Sequence, residues 1–239
     1  MTKQELETKM EKMEAIEIPV ENCYWDKEKR LIKVKTEEWS GIIPQTELEG
    51  QLVNSKLPIG VKKFFENSKM MIIGKENENF IFSKRRYLRD KKEKIKEGEV
   101  KTARVTAVES WGCYCTIDED ITIVVSAVNY SRTRFYDLKK VVRIGEEFPV
   151  KIIEKVEKNG EIFLYGSRKI DEKRKFKEGD IIQVKLGNLT KKGDGIFCEV
   201  TPTVAGILDI SPTWKYRIGR KVFVKIVRIK DKGFKLSFT

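Results

Sequence analysis

The 239 residues contain no histidine. This removes the commonest metal-binding side chain and the group most often used for proton transfer near neutral pH. Cysteine is scarce, with four residues and no Cys-x-x-Cys pair, so there is no disulfide framework and a reducing, cytoplasmic setting is expected. Long apolar runs are missing as well. Stretches such as 70–73 (MMII) and 123–125 (IVV) fall far short of the ~20 residues that span a bilayer, so no membrane partner is expected. The opening MTKQELETKMEKMEA has no apolar core and does not read as a secretory signal. Phosphate-cradling Gly-x-x-x-x-Gly-Lys, His-Glu-x-x-His and nucleophile-elbow motifs are all lacking. The acidic run Asp118–Asp120 sits where a hairpin should turn, which is a simpler role than metal binding. No enzyme, cofactor or metal is expected.

Basic charge, by contrast, is abundant and uneven. The chain carries a net +12. Residues 1–82 sum to −2 and residues 98–168 to zero, whereas 83–97 carry +5 and 176–239 carry +7. Such a balance favours a polyanionic partner, nucleic acid before membrane, although excess lysine also serves solubility alone.

The chain repeats itself. EGEVKTARVTAVESWGCYCTI (97–117) parallels EGDIIQVKLGNLTKKGDGIFCEV (178–200), and both reach Gly-x-aromatic-Cys-x-aliphatic. RIGEEFPVKIIEKVEKNGEIFL (143–164) likewise parallels RIGRKVFVKIVRIKDKGFKL (217–236). A weaker copy lies upstream in 27–48 and 69–86, with Asn67 in place of the glycine before the fourth strand. Period-two alternation in β-branched runs, closed by turns such as KKGDG, KNG and KDKG, predicts five short strands per unit. Such units suit small closed barrels.

The expected fold is all-β, with three small five-stranded barrels in tandem joined by short helical linkers. The expected boundaries are 1–15, a frayed helix or disordered; 16–83, a degenerate barrel; 84–97, a basic helical linker; 98–168, a barrel; 169–175, a hinge; and 176–239, a barrel.

In these motifs the chain resembles the S1-type RNA-binding repeats of bacterial ribosomal protein S1 and its relatives, which are OB-fold units. EGEV, WGCYC, VVSAVNYSRTRFYDLKKVVRIGE and EIFL fit the second unit; EGDI, DGIFC, AGILDIS, YRIGR and KLSF fit the third; SGIIPQTEL and FIFSKRR resemble the first. The resemblance implies non-enzymatic binding of single-stranded RNA and a role near the ribosome or in translation. Two departures stand out. The third-strand histidine of RNA-binding members is absent, its matching positions being Pro44, Val124 and Asp209, and Asp194 replaces the aromatic before the third unit's glycine.

Barrels of this type stack bases on exposed aromatics and track phosphates with cations. The candidates for stacking are Trp111 and Tyr114, with Phe197 as the third unit's counterpart. Strict alternation would put Trp111 and Tyr114 on opposite faces; a bend at Gly112 would bring them together, and Trp111 plugging the barrel end is the other possibility. The loop after strand three offers Tyr130, Arg132 and Arg134. Lys151, Lys185 and Lys225 occupy outward strand positions, and Arg168 follows the second unit's last strand. Lys84, Arg85, Arg86 and Arg89 cluster on the linker. Cys113, Cys115 and Cys198 share an inward face and read as core. Single-stranded RNA, a protein-interaction scaffold of degenerate barrels, and single-stranded DNA all remain open, with a monomer favoured.

Overall fold

The computed structural model describes residues 1–18, 23–26, 28–48, 68–133, 135–170, 176–210, 217–230 and 233–239. The chain divides into two compact units, Met1–Lys94 with Lys158–Ile162, and Ile95–Glu157 with Phe163–Thr239. The second and third expected barrels therefore share a unit. Residues 171–175 of the expected 169–175 hinge, together with Arg134 and Asn67, lie outside the described residues.

The first unit opens with α1 (Lys3–Glu11). Its start is fixed by a capping box, in which Thr2 Oγ1 accepts from the Glu5 backbone N–H and the Glu5 carboxylate accepts from the Thr2 N–H. Leu6 is fully buried in the same core as Ile16, Ile32, Ile43 and Phe80, which anchors the segment expected to fray. Six strands follow: β1 (Ile16–Glu17), β2 (Cys23–Asp26), β3 (Leu31–Lys35), β4 (Ser40–Pro44), β5 (Lys69–Glu76) and β6 (Asn79–Ser83). Their order is β1-β5-β6-β4-β3-β2. The two edge strands are near neighbours in sequence, and one core takes Ile16 from the first and Cys23 and Trp25 from the second. This is the order of the two closed barrels that follow in the chain, with β1 and β2 at the two edges in the place of their first strand. Among the described residues it is a six-stranded sheet rather than the closed barrel expected. A basic helix, α2 (Lys84–Lys94), follows β6. Ser83 Oγ accepts from the Arg86 N–H at 2.8 Å, ending the strand and starting the helix.

The second barrel consists of β7 (Val100–Val108), β8 (Gly112–Ile117), β9 (Ile121–Ser126), β10 (Glu147–Lys158) and β11 (Glu161–Ser167), with a one-turn helix α3 (Ala127–Tyr130) after β9. The third consists of β12 (Ile181–Leu189), β13 (Gly195–Thr201), β14 (Val204–Asp209), β15 (Lys221–Lys230) and β16 (Gly233–Phe238). Both are closed, and both run strand one, two, three, five, four and back to one, with strands three and five parallel. Closure leaves no exposed sheet edge.

A size match between strands three and five recurs in all three units. A Cβ on Gly41 would lie 2.2 Å from the Phe82 ring, and one on Gly206 would lie 2.6 Å from Leu236 Cδ1. In the second barrel the partners are exchanged: Ile123 stands where the other units have glycine, and a Cβ on Gly166 would lie 2.6 Å from its Cδ1. The pairing that follows corrects one sequence expectation. Gly195 faces Asp209 and Gly112 faces Ser126, so Ser126, not Val124, is the second barrel's equivalent of Asp209 and Pro44. With no glycine in β9 to anchor the match, the motif slipped by two residues.

Cys113 and Cys115 of the second barrel and Cys198 of the third point inward and are fully buried. Cys113 and Cys115 bring their sulfurs to 3.7 Å on one face of β8. Burial pushes the Cys198 thiol up to about 12 from an ordinary 9.0, and contact with Cys113 together with burial raises that of Cys115. A raised thiol stabilises the fold fully below its unfolded value, and that contribution is lost as pH climbs toward the folded one. Urea unfolding should therefore show stability falling above about pH 9, by about 1.4 kcal/mol per pH unit for each such group. Cys198→Val should flatten that decline. A profile unchanged by the substitution would contradict this origin.

Candidate nucleic-acid interface

Trp111 precedes β8 in a bend, and its carbonyl accepts from the Ala127 N–H at 2.8 Å. The side chain is 51% exposed, so it does not plug the barrel end. Tyr114, half-buried on β8, meets it edge-to-face with ring centroids 5.8 Å apart and planes at 82°. The bend before Gly112 thus puts both rings on one side despite the odd spacing. Such a pair is rigid and apolar, and each ring keeps an accessible face for a flat, unpaired base.

Other candidates are outward but dispersed. Lys151 on β10 faces Val100, and Lys225 on β15 faces Ile181; both are exposed and have no ion-pair partner among the described residues. Phe197 is half-buried on β13. Arg132 is exposed, while its backbone N–H donates to Pro202 O at 2.7 Å. Asp194 has a turn role, accepting from Thr190 Oγ1 at 2.7 Å. On α2 the cations are engaged: Lys84 with Ser68 Oγ, Arg85 with Asn159 O, Arg86 with Asp90 and Arg89 with Glu93.

Three candidates are placed elsewhere than expected. Tyr130, Arg168 and Lys185 meet in a buried polar joint where the second and third barrels pack. Tyr130 is fully buried and Lys185 is 8% exposed. Arg168 Nη1 donates to both carboxylate oxygens of Glu199 at 3.0 Å, and its guanidinium lies 4.5 Å over the Tyr130 ring. Lys185 Nζ donates to Tyr130 Oη at 3.3 Å and lies 3.6 Å from Glu146. Thr133 Oγ1 donates to Cys198 O, and Gly219, at φ +83°, packs so tightly that a Cβ would sit 2.4 Å from Lys140 O. Burial lowers the pKa of Lys185, whereas Glu199 and Tyr130 outweigh burial at Arg168 and raise it. Lys185 does point out of its own barrel, as alternation requires, but what lies outside is the second barrel rather than solvent. These three side chains are engaged with one another and with Glu199 and Glu146 across the joint rather than presented on an outer barrel face.

Sequence reasoning also overlooked residues. Phe163, 40% exposed, and Tyr165, half-buried, both face outward from β11. The alternation in EIFLYGS carried that signal. Among the described residues, no group of three or more His, Cys, Asp or Glu is placed to hold a metal, and no helix is long and apolar enough to cross a membrane.

A closed barrel of this strand order with an exposed Trp–Tyr pair at the head of its second strand coincides with a family match. Residues 94–167 match the S1 RNA binding domain. Over a longer alignment, the chain is 25% identical over 231 residues to small ribosomal subunit protein bS1 of Streptococcus pneumoniae, covering 87% of this chain and 56% of that protein. The chain thus spans about half the length of that relative. Among solved structures, it is similar to a multidomain protein with nucleic acid binding domains from Streptococcus pneumoniae, at 13% identity and TM-score 0.34, covering 95% of this chain and 73% of that one. It is also similar to GSP13 from Bacillus subtilis, at 24% identity and TM-score 0.29, covering 35% and 66% of the respective chains.

Proposed function

We propose that this protein binds single-stranded RNA without catalysing a reaction, chiefly through the outer face of its S1 barrel. The observation that carries the reading is the exposed Trp111–Tyr114 pair within the matched segment. Bases stack on this pair, and Lys151 on the same barrel and Lys225 on the third supply charge for the backbone. Stacking of this kind tolerates many sequences, because every base has a flat face. Similarity to a ribosomal protein supports a place near the ribosome or in translation, in the cytoplasm.

The second reading, a scaffold that binds protein rather than RNA, draws on the joint, which occupies Tyr130, Arg168 and Lys185 and so removes three groups from the candidate surface. Direct titration separates the readings, since the scaffold predicts no binding of a labelled single-stranded RNA at about 50 mM salt, and competition then defines the nucleic acid. A labelled single-stranded RNA should be displaced by unlabelled RNA of the same sequence more readily than by matched single-stranded DNA or duplex RNA. Equal displacement by duplex would overturn single-strand recognition, and preference for DNA would reassign the ligand.

A further inference from the structure

The row of outward side chains that includes Tyr114 crosses three strands, and its chemistry differs among the units. In the second barrel Tyr114 faces Val124, and Val124 lies beside Tyr165 on β11. The same row reads Phe197, Ile207 and Lys235 in the third barrel. In the first unit it reads Lys33, Ile42 and Ile81. Of these three rows, the second barrel's alone has an aromatic at each end.

Adjacent strands lie about 4.8 Å apart, so positions 114 and 165 are roughly 10 Å apart across Val124. At that spacing the two rings do not stack on each other, and the β-branched side chain between them leaves a low apolar floor. Tyr165 is half-exposed, and its hydroxyl has no hydrogen-bond partner among the described residues. Phe163 stands two residues along the same face of β11 and is 40% exposed. An outward aromatic ladder on a fifth strand has no role in the core, which is filled from the other face by Ile162 and Leu164.

We propose that Tyr165, with Phe163 beside it, is a second base-stacking position, so that the second barrel holds two unpaired bases of one RNA strand. This rests on the reading of the second barrel as an RNA-binding face. The third barrel, with Lys235 in the corresponding place and paired to Asp209 at 3.0 Å, lacks the second position.

The test compares a single-stranded RNA oligomer with an abasic oligomer of the same ribose-phosphate length. Tyr165→Thr keeps strand preference while removing the ring, and should weaken binding of the base-bearing oligomer on the order of 5- to 150-fold. Affinity for the abasic oligomer should be unchanged. Tyr165→Phe should bind like the parent, and Phe163→Thr should weaken binding in the same base-dependent way. Equal loss on both oligomers, or loss in Tyr165→Phe, would overturn the proposal. So would full retention in Tyr165→Thr while Trp111→Ala weakens binding, an outcome that leaves the RNA-binding reading standing. Failure of the parent to bind the base-bearing oligomer would overturn both.

Discussion

Replacing Arg168 with alanine should destabilise the body formed by the second and third barrels by about 3–5 kcal/mol, read as a fall in the urea midpoint of its unfolding. The reason lies in what the substitution strands. Glu199 is 5% exposed, and Arg168 supplies both of its 3.0 Å hydrogen bonds from Nη1. Without the guanidinium a carboxylate stays buried with its principal counter-charge gone, and Tyr130 loses the cation over its ring. A double variant, Arg168→Met with Glu199→Leu, should lose much less, because it removes both charges and keeps the volume. A single substitution costing under about 1 kcal/mol would show the pair to be solvated, as surface ion pairs are.

The second large effect concerns binding. The double variant Trp111→Ala, Tyr114→Ala should lower affinity for single-stranded RNA by about 10- to 150-fold with the fold retained, since one stacked base is worth about 1–3 kcal/mol. The two rings contact each other edge-to-face, so their single effects should not sum; truncating either leaves its partner less rigidly held. Fold retention is expected because Trp111 is half exposed and the core beneath Tyr114 is filled by Cys113, Cys115 and Ile123. Circular dichroism on the same samples checks it. Affinity within twofold of the parent would remove the pair from the binding site.

Much of this architecture was legible in the sequence. The repeated Gly-x-aromatic-Cys motif marks the second strand of both closed barrels, and its cysteines are inward as alternation predicts. Turn chemistry was equally clear, with Asn159 and Gly160 at φ 54° and 72° closing the β10–β11 hairpin. Two things were not legible. The glycine exchanged between β9 and β11 hides the register of the second barrel, because the compensating pair, Ile123 and Gly166, is distant in sequence and adjacent only in the folded sheet. The joint is hidden for a related reason. Periodicity tells which face of a strand points outward, but not whether another barrel covers that face, so Lys185 and Arg168 read like ligand-binding cations. Tyr130 was misread differently, as a loop residue: it ends the one-turn helix α3 with its ring packed edge-on against Phe135 and Phe148.

The central claim, that this chain grips single-stranded RNA by its bases and backbone together, is tested most directly by titrating a fluorescent single-stranded RNA oligomer at about 50 mM and about 200 mM salt. The account predicts binding that weakens with salt along a linear slope of log affinity against log salt, since Lys151, Lys225 and their neighbours displace counterions from the phosphates. No binding at the lower salt, or binding without a salt slope, would contradict it.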